Sequence, residues 1–423
     1  MQTLRHWLHR RRQPLRYQLL DGLLATQALP QEALLARQRD DLRAIVDFAR
    51  SNTRYYREKY AALDAAWAIS DLPILTKSDV TTHLPDLLAH GHDPHTTAIG
   101  HTGGSTGKPL AFYYDDFKHE LMRAGMMRSY MMAGWQPGQK ILNFWGARQD
   151  TVAGGVFGGE YIGDFIAAEK TLPAHAISPN KLDAWAAFIQ RYRPVLLQGY
   201  ASILAALARY VLECQISLPA SLTGVFSTAE MLDDSQRALM EAAFGCRVFN
   251  QYGSREIPNI ACECRHGHMH VFTDMVMLES IDGQLLVSSL TNRLMPMIRY
   301  ENGDAGELLD ADCDCGSPFP LMAMGMCRKN DFIVTPDGRK LHPSFFNRLL
   351  YGQKHIENYQ FVQRTSDEVQ LKLVTPQSPD PALIRSMQER VRQEGGGLNL
   401  RVDTVPDIER TISGKHRFVI SQL

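Results

Sequence analysis

Long apolar runs are missing from this chain: no stretch approaches the ~18 residues that a membrane-spanning helix needs. Net charge is missing as well. Lys and Arg number 45 against 46 Asp and Glu, so the whole protein has no electrostatic grip on nucleic acid or an anionic membrane, although a local basic patch is still allowed. Cysteines are few and odd in number, seven in 423 residues, which rules out a disulfide scaffold and points to a reducing, cytoplasmic setting. The amino end, MQTLRHWLHRRRQPLRYQLL, is basic but lacks the apolar segment of a secretory signal. Repeats and low-complexity tracts are absent. What is there is an ordinary globular composition, 44% hydrophobic and 22% charged, in a chain long enough for roughly two to four domains.

Periodicity places the elements. From Gln31 to Asn52 the apolar residues Leu35, Leu42, Ile45, Val46 and Ala49 recur at helical spacing. Ser178-Pro179 reads as an N-cap followed by proline at the first helical position, and Pro194 closes that helix. Strands are expected at 195–200, 223–227 and 246–252, with helices at 203–215 and 233–243 between them. Strands alternating with helices predict a layered α/β sheet, mostly parallel, with ligands in the loops at the carboxyl ends of strands. After Arg328 the texture changes to a polar turn, strands at 359–364, 368–374 and 398–405, and a helix from Pro381 to about Glu394. The expectation is a large N-terminal α/β domain of mixed and parallel sheet, residues 1–328, and a small mobile α+β domain, residues 329–423.

Four words carry chemistry. HTGGSTGKPL (101–110) combines glycines, hydroxyls and a lysine, as a phosphate-cradling loop does, but Thr102 and Pro109 stand where a Walker A loop needs glycine and Ser/Thr. A flexible surface turn explains that word equally well. STAEML (227–232) and NQYGSRE (250–256) offer a tyrosine face at a strand end and a carboxylate, Glu256, suited to hydrated magnesium. Read alone, these are a half-buried aromatic and a surface ion pair. RYENGDAGEL (299–308) supplies Asp304 for two sugar hydroxyls and Arg299 for phosphate, or simply an Asn-Gly-Asp hairpin turn. RTISGKHRF (410–418) places Lys415 after a flexible Ser-Gly; a lysine there is ordinarily a solvated charge. Separately, ACECRHGHMHV (261–271) and DCDCG (312–316) put four cysteines and three histidines into two short words, enough for a tetrahedral zinc site of thiolates and imidazole with a structural role.

The order and wide separation of these words are more specific than any one of them. Together they resemble the core motifs of the adenylate-forming superfamily: acyl-CoA synthetases, peptide-synthetase adenylation domains and luciferases. RAIVDFARSNTRYYREKY (43–60), DLPILTKSDV (71–80), the short length and the cysteine words resemble the phenylacetate-CoA ligase and CapK-like branch. The resemblance runs from about Asp40 to Arg417. It implies an AMP-forming carboxylate ligase that uses ATP and Mg²⁺ and transfers an acyl group, by default to coenzyme A. An aryl or arylacetic acid is the implied substrate. A CapK-like transfer to an amine, hydroxyl or carrier-protein thiol is the alternative, and a non-catalytic nucleotide-binding partner protein the remote one.

Residue by residue, the resemblance makes Thr102, Gly103, Ser105, Thr106, Gly107 and Lys108 the triphosphate loop. Ala229 and Glu230 would lie along the adenine, Tyr252 with Gly253 would stack on it, and Glu256 would bind magnesium. Asp304 would hold the ribose with Arg328 near it, and Lys415 would contact the carboxylate and α-phosphate; Lys415, Glu256 and Thr106 are the catalytic set. The zinc ligands map to Cys264, His270, Cys313 and Cys315, with Cys262 able to replace one of them and His266 and His268 as bystanders. The hinge departs from the family's Gly-Arg-x-Asp-Asp: here Met326-Cys327-Arg328-Lys329-Asn330-Asp331 follows a glycine at 325. Trp145, Gly146, Gly199 and Tyr200 end strands on the expected ligand side and are candidates for the carboxylate pocket. The methionine-rich stretch 117–135 reads as core packing before acyl pocket. Arg10 to Arg12 read as a solvated basic end before a membrane-surface or partner contact. Nucleic acid is not an expected partner; a homodimer is compatible with the sequence.

Overall fold

A computed structural model describes residues 2–102, 110–145, 168–174, 177–328, 333–341, 345–346, 349–350, 353, 355–409 and 418–423. Its main feature is an 11-stranded mixed sheet. Five neighbouring strands are parallel, in the order Glu169–Pro173, Ile141–Trp145, Leu196–Tyr200, Gly224–Thr228 and Arg247–Tyr252. The sheet then continues antiparallel through Ala261–Glu263, Met269–Val271, Leu321–Arg328, Tyr300–Leu309, Gln284–Ser289 and Val276–Ile281.

Helices Pro179–Tyr192, Ala201–Glu213 and Asp234–Phe244 connect the parallel strands, as a right-handed βαβ path requires. Two of them start and stop for local reasons. Ser178 accepts from the Lys181 N–H, Pro179 follows it, and Arg193 closes the helix at φ 54° before Pro194. Asp233 and Gln236 form a reciprocal capping box, and Gly245 at φ 64° ends that helix. The sequence-based boundaries agree to within about two residues.

One face of the parallel strands packs Leu142, Phe144, Leu197 and Val225 against these three helices. The other face carries Phe226 and Phe249, stacked 5.2 Å apart, towards the helix Asp116–Met132 and the amino-terminal helices. The methionines of that helix, Met126, Met127, Met131 and Met132, pack on this core, in line with the packing reading. Each fully buried aliphatic or aromatic side chain contributes about 1.5–3 kcal/mol of transfer free energy.

The carboxyl-terminal segment has its own four-stranded sheet, ordered Asn399–Thr404, Glu368–Val374, Asn358–Thr365 and Val419–Ser421, with the helix Pro381–Glu394. Ile333, Phe346, Phe361, Leu371, Val391 and Val419 form a separate hydrophobic cluster there. The expected boundary at 328/329 falls where residues 329–332 lie outside the described set.

Candidate functional site

The carboxyl ends of the parallel strands and the antiparallel strand Tyr300–Leu309 bring three of the four words together. Tyr252 ends its strand, and its hydroxyl donates to Asp304 Oδ2 at 3.2 Å. Asn302 Nδ2 donates to the same hydroxyl at 2.7 Å and to Asp304 Oδ2 at 3.1 Å, while Asn302 Oδ1 accepts from the Asp304 N–H at 3.0 Å. RYENGDAGEL is therefore not a hairpin turn. It lies within a strand that carries a bulge between Asp304 and Gly306, and Gly303 absorbs φ 84° there. The DLPILT segment supports this strand from the other edge: Leu75 N–H donates to Arg299 C=O, and Glu301 N–H to Leu75 C=O.

Glu256 is buried beside this cluster. Its Oε1 accepts from the Tyr300 hydroxyl at 3.2 Å, and its main-chain oxygen accepts from Lys118 Nζ at 2.9 Å. Burial pulls the Lys118 ammonium down to about 8, partly offset by the negative charges of Glu256 and Asp115. The neighbouring Arg255 reaches His101 C=O at 3.0 Å, so the YGSRE word is tied to the strand Ile99–His101. No surface ion pair joins Arg255 to Glu256. Gly253 is required by close approach, since a Cβ there would meet the Asn259 main-chain nitrogen at 2.8 Å.

The base of the phosphate-loop word is a small hairpin. Ile99–His101 pairs antiparallel with Ala111–Tyr113, and Thr102 and Leu110 close the loop's mouth through Thr102 N–H to Leu110 C=O and Leu110 N–H to Thr102 Oγ1, both 2.9 Å. Gly103, Ser105, Thr106, Gly107 and Lys108 lie outside the described residues, as do Gly146 and Lys415. Ala229 sits at φ 67° immediately after the strand Gly224–Thr228. Glu230 accepts from the Ser202 N–H at 2.8 Å, at the start of the helix Ala201–Glu213, where a carboxylate complements the helix dipole. Trp145 and Tyr200 meet edge to face, 5.1 Å apart, at the ends of their strands.

Arg299 does not serve a phosphate. It is buried, forms a two-point ion pair with Glu279 at 2.9 and 3.0 Å, and donates to the carbonyls of Ser70 and Leu72. A guanidinium committed to four acceptors is a fastening for the 69–75 segment. Arg328 ends its strand in backbone register with Asp304.

Two residues of the site were not anticipated from sequence. Asn302 stands two positions before Asp304, and strand periodicity would have put both on one face had the word been read as a strand. Lys118 carries no such signal, because its partner is a main-chain oxygen 138 residues away. Lys118, with Met122, Pro258, Val276 and Leu294, also lines a cavity of about 450 Å³.

The cysteine words converge as well. Ligand atoms of Cys264, His270, Cys313 and Cys315 all lie within 4.8 Å of one another. Cys264 and Cys313 sulfurs are 3.7 Å apart, and Cys315 Sγ is 3.3 Å from His270 Nε2. Thiolates 2.3 Å from a shared zinc at tetrahedral angles would stand about 3.8 Å apart. His270 Nδ1 faces Phe319 C=O at 2.8 Å, which assigns the proton to Nδ1 and leaves the Nε2 lone pair for a metal. Main-chain N–H groups of His266 and Ser317 point at Cys264 and Cys315 sulfurs, as suits thiolates. Cys262 is excluded from this set: it is fully buried, its Sγ faces Glu263 C=O, and desolvation pushes its thiol up to about 12. His268 is nearer than a bystander, with Nδ1 3.1 Å from Cys313 Sγ. The cluster fastens the 310–320 connection onto the strands that follow Tyr252.

Comparison with known proteins bears on this arrangement. A family profile for the CapK C-terminal domain matches residues 333–422. Protein CapK of Staphylococcus aureus is 25% identical over 84% of this chain and 80% of its own length. Phenylacetate-coenzyme A ligase of Thermus thermophilus is 26% identical over 82% of each. The chain is thus similar to members of the phenylacetate-CoA ligase and CapK branch of the adenylate-forming superfamily. Among solved structures, 2-hydroxyisobutyryl-CoA ligase in its postadenylation state superposes with a TM-score of 0.72 over 94% of this chain and 91% of that one, at 18% identity. The adenylate-forming fold thus spans both the large mixed sheet and the carboxyl-terminal segment.

Proposed function

We propose that the chain is an ATP-dependent, AMP-forming carboxylate ligase that makes an acyl-adenylate and transfers the acyl group to a thiol, first of all coenzyme A. The observation that carries this reading is the convergence of Tyr252, Asn302 and Asp304 beside buried Glu256, tied through Arg255 to the strand that feeds the phosphate-loop word. In this reading a substrate carboxylate oxygen attacks the α-phosphorus of ATP, the bond to the bridging oxygen breaks, and pyrophosphate leaves. The acceptor thiol, its proton lost to solvent, then attacks the acyl carbon and AMP departs. Asp304 holds the ribose hydroxyls, with Asn302 fixing its orientation, and Tyr252 offers its ring to the adenine. Thr102, Gly103, Ser105, Thr106, Gly107 and Lys108 cradle the phosphates, Ala229 and Glu230 border the base, and Arg328 completes the ribose side. Glu256 fits magnesium chemically, because Lys118 bonds its main-chain oxygen and Tyr300 engages only Oε1, so the carboxylate keeps a hard oxygen donor in Oε2. Magnesium there would neutralise charge on the phosphates. The two units proposed, 1–328 and 329–423, divide the work, with Lys415 supplied by the smaller.

Curated relatives named for phenylacetate support an arylacetic acid. A second reading keeps adenylation and changes the acceptor to an amine, a hydroxyl or a carrier-protein thiol. The CapK C-terminal match over 333–422 favours it, since that segment would face the acceptor. A panel of carboxylic acids assayed by pyrophosphate release, with and without coenzyme A, separates the two. Acid-dependent release accelerated by coenzyme A supports the thiol reading. Release that responds to amines and not to coenzyme A supports the second.

The cysteine cluster is proposed to hold one structural zinc through Cys264, His270, Cys313 and Cys315. Elemental analysis should return one zinc per chain. Cys315→Ser should lose it and destabilise the fold by roughly 3 kcal/mol or more, because one substitution removes a whole cross-link. ATP affinity should change far less than melting temperature. Purified protein without stoichiometric zinc and with all four side chains freely reactive would refute the site.

A further inference from the structure

Among the described residues, the amino-terminal helix Gln2–Arg12 is docked by one side. Gln2 Nε2 donates to Gln136 Oε1 at 3.2 Å, and the Gln2 carbonyl and Arg5 close over Gly138 so tightly that a Cβ there would stand 2.6 Å from the Gln2 oxygen. The opposite side turns Leu4 and Trp7 outward, 53% and 50% exposed and three residues apart, hence neighbours on one helical face. Water-facing apolar side chains at this density gain nothing from the fold that carries them.

Charge on the same helix is of one sign. No acid occurs among residues 1–20, while Arg stands at 5, 10, 11, 12 and 16. Asp21 engages Arg10 and Glu120 engages Arg16, each through two hydrogen bonds. Arg11 and Arg12 are exposed, and the Arg11 guanidinium lies 4.3 Å from the Trp7 ring centre. The basic character continues past the helix. Lys140, already opposed by its desolvation, also feels the like charges of Arg5 and Arg193.

We propose that this helix is a membrane-surface contact: Leu4 and Trp7 enter the headgroup–acyl boundary of an anionic lipid bilayer while Arg11 and Arg12 bind its phosphates. An aliphatic and a tryptophan beside paired arginines is the chemistry of an interfacial helix. Nucleic acid would use the arginines but gains nothing from Leu4. A second copy of the chain would bring like charges together over two apolar side chains, far below the roughly 800 Å² per partner of a stable interface. Because no helix among the described residues is long and apolar enough to cross a membrane, the contact would be peripheral, reversible and weakened by salt.

The test uses the full-length protein with sedimenting vesicles, either phosphatidylcholine alone or phosphatidylcholine with about a third phosphatidylglycerol. The protein should bind the anionic vesicles at low salt and be released at high salt. R11E/R12E should weaken partitioning at least tenfold, in line with roughly fivefold per basic residue at a charged surface. L4S/W7S should weaken it comparably with every charge kept. Both variants should melt and release pyrophosphate as the parent does, so this inference can fail while the ligase reading stands. Equal binding to neutral vesicles, binding unchanged in either variant, no binding at all, self-association relieved by L4S/W7S, or tighter binding to an oligonucleotide would each overturn it.

Discussion

Replacing Lys415 with alanine is expected to abolish acyl-adenylate formation, by about 10²–10³-fold, while transfer from a supplied acyl-adenylate stays largely intact. The expectation rests on position. Lys415 follows the strand Asn399–Thr404 and precedes Val419–Ser421, in the carboxyl-terminal unit, whereas Tyr252, Glu256 and Asp304 sit on the large sheet. On the proposed mechanism its ammonium stabilises charge that develops only as the carboxylate meets the α-phosphate, so its removal affects one half-reaction. Both half-reactions should be measured on the same variant. An equal fall in both would refute the division of labour between the two units. No fall in either would leave Lys415 a solvated charge.

The second large effect is expected at Asp304. Its carboxylate is held by Tyr252 and Asn302 in a part-buried position, and on this account the ribose hydroxyls of ATP donate to it. Two hydrogen bonds to a charged acceptor at about 1.5–3 kcal/mol each imply a loss of roughly a hundredfold or more in ATP affinity for Asp304→Ala. Asn302→Ala should cost less, because the carboxylate remains and only its orientation is freed. Calorimetry on folded variants distinguishes the roles. Unchanged ATP affinity in Asp304→Ala would return the residue to a purely structural part in the bulged strand.

How much of this was legible in the sequence follows from the range of the interactions concerned. The helix Pro179–Tyr192 could be bounded from Ser178, Pro179 and Pro194 alone, because caps and proline act within a turn of the chain. The alternation of strands and helices between 195 and 252 was equally local, and it led to the parallel part of the sheet. Asp304 was legible as a candidate and misleading as a shape. Asn-Gly-Asp favours a turn, but pairing on both sides holds the word extended, and tertiary context overrides local propensity there. Arg299 shows the opposite failure: an arginine beside the ribose word invites a phosphate, yet Glu279 and two carbonyls from residues 70 and 72 claim it. Those partners are 20 and more than 220 residues away, beyond any pattern in one sequence. Within the cysteine words, spacing could not separate Cys262 from Cys264. The end of the strand does: Cys262 lies within Ala261–Glu263 with its sulfur in the core, whereas Cys264 lies past it, at the start of a turn, where its sulfur meets Cys313.

The central claim is that this site activates a carboxylate as its adenylate, and ATP–pyrophosphate exchange reads that step without requiring the acceptor. With an acid from the panel present, radiolabelled pyrophosphate should enter ATP, the exchange should need magnesium, and Lys415→Ala and Asp304→Ala should suppress it. Acid-dependent ATP cleavage that yields ADP, or tight ATP binding with no exchange for any acid, would contradict the account and leave a nucleotide-binding fold without adenylating chemistry.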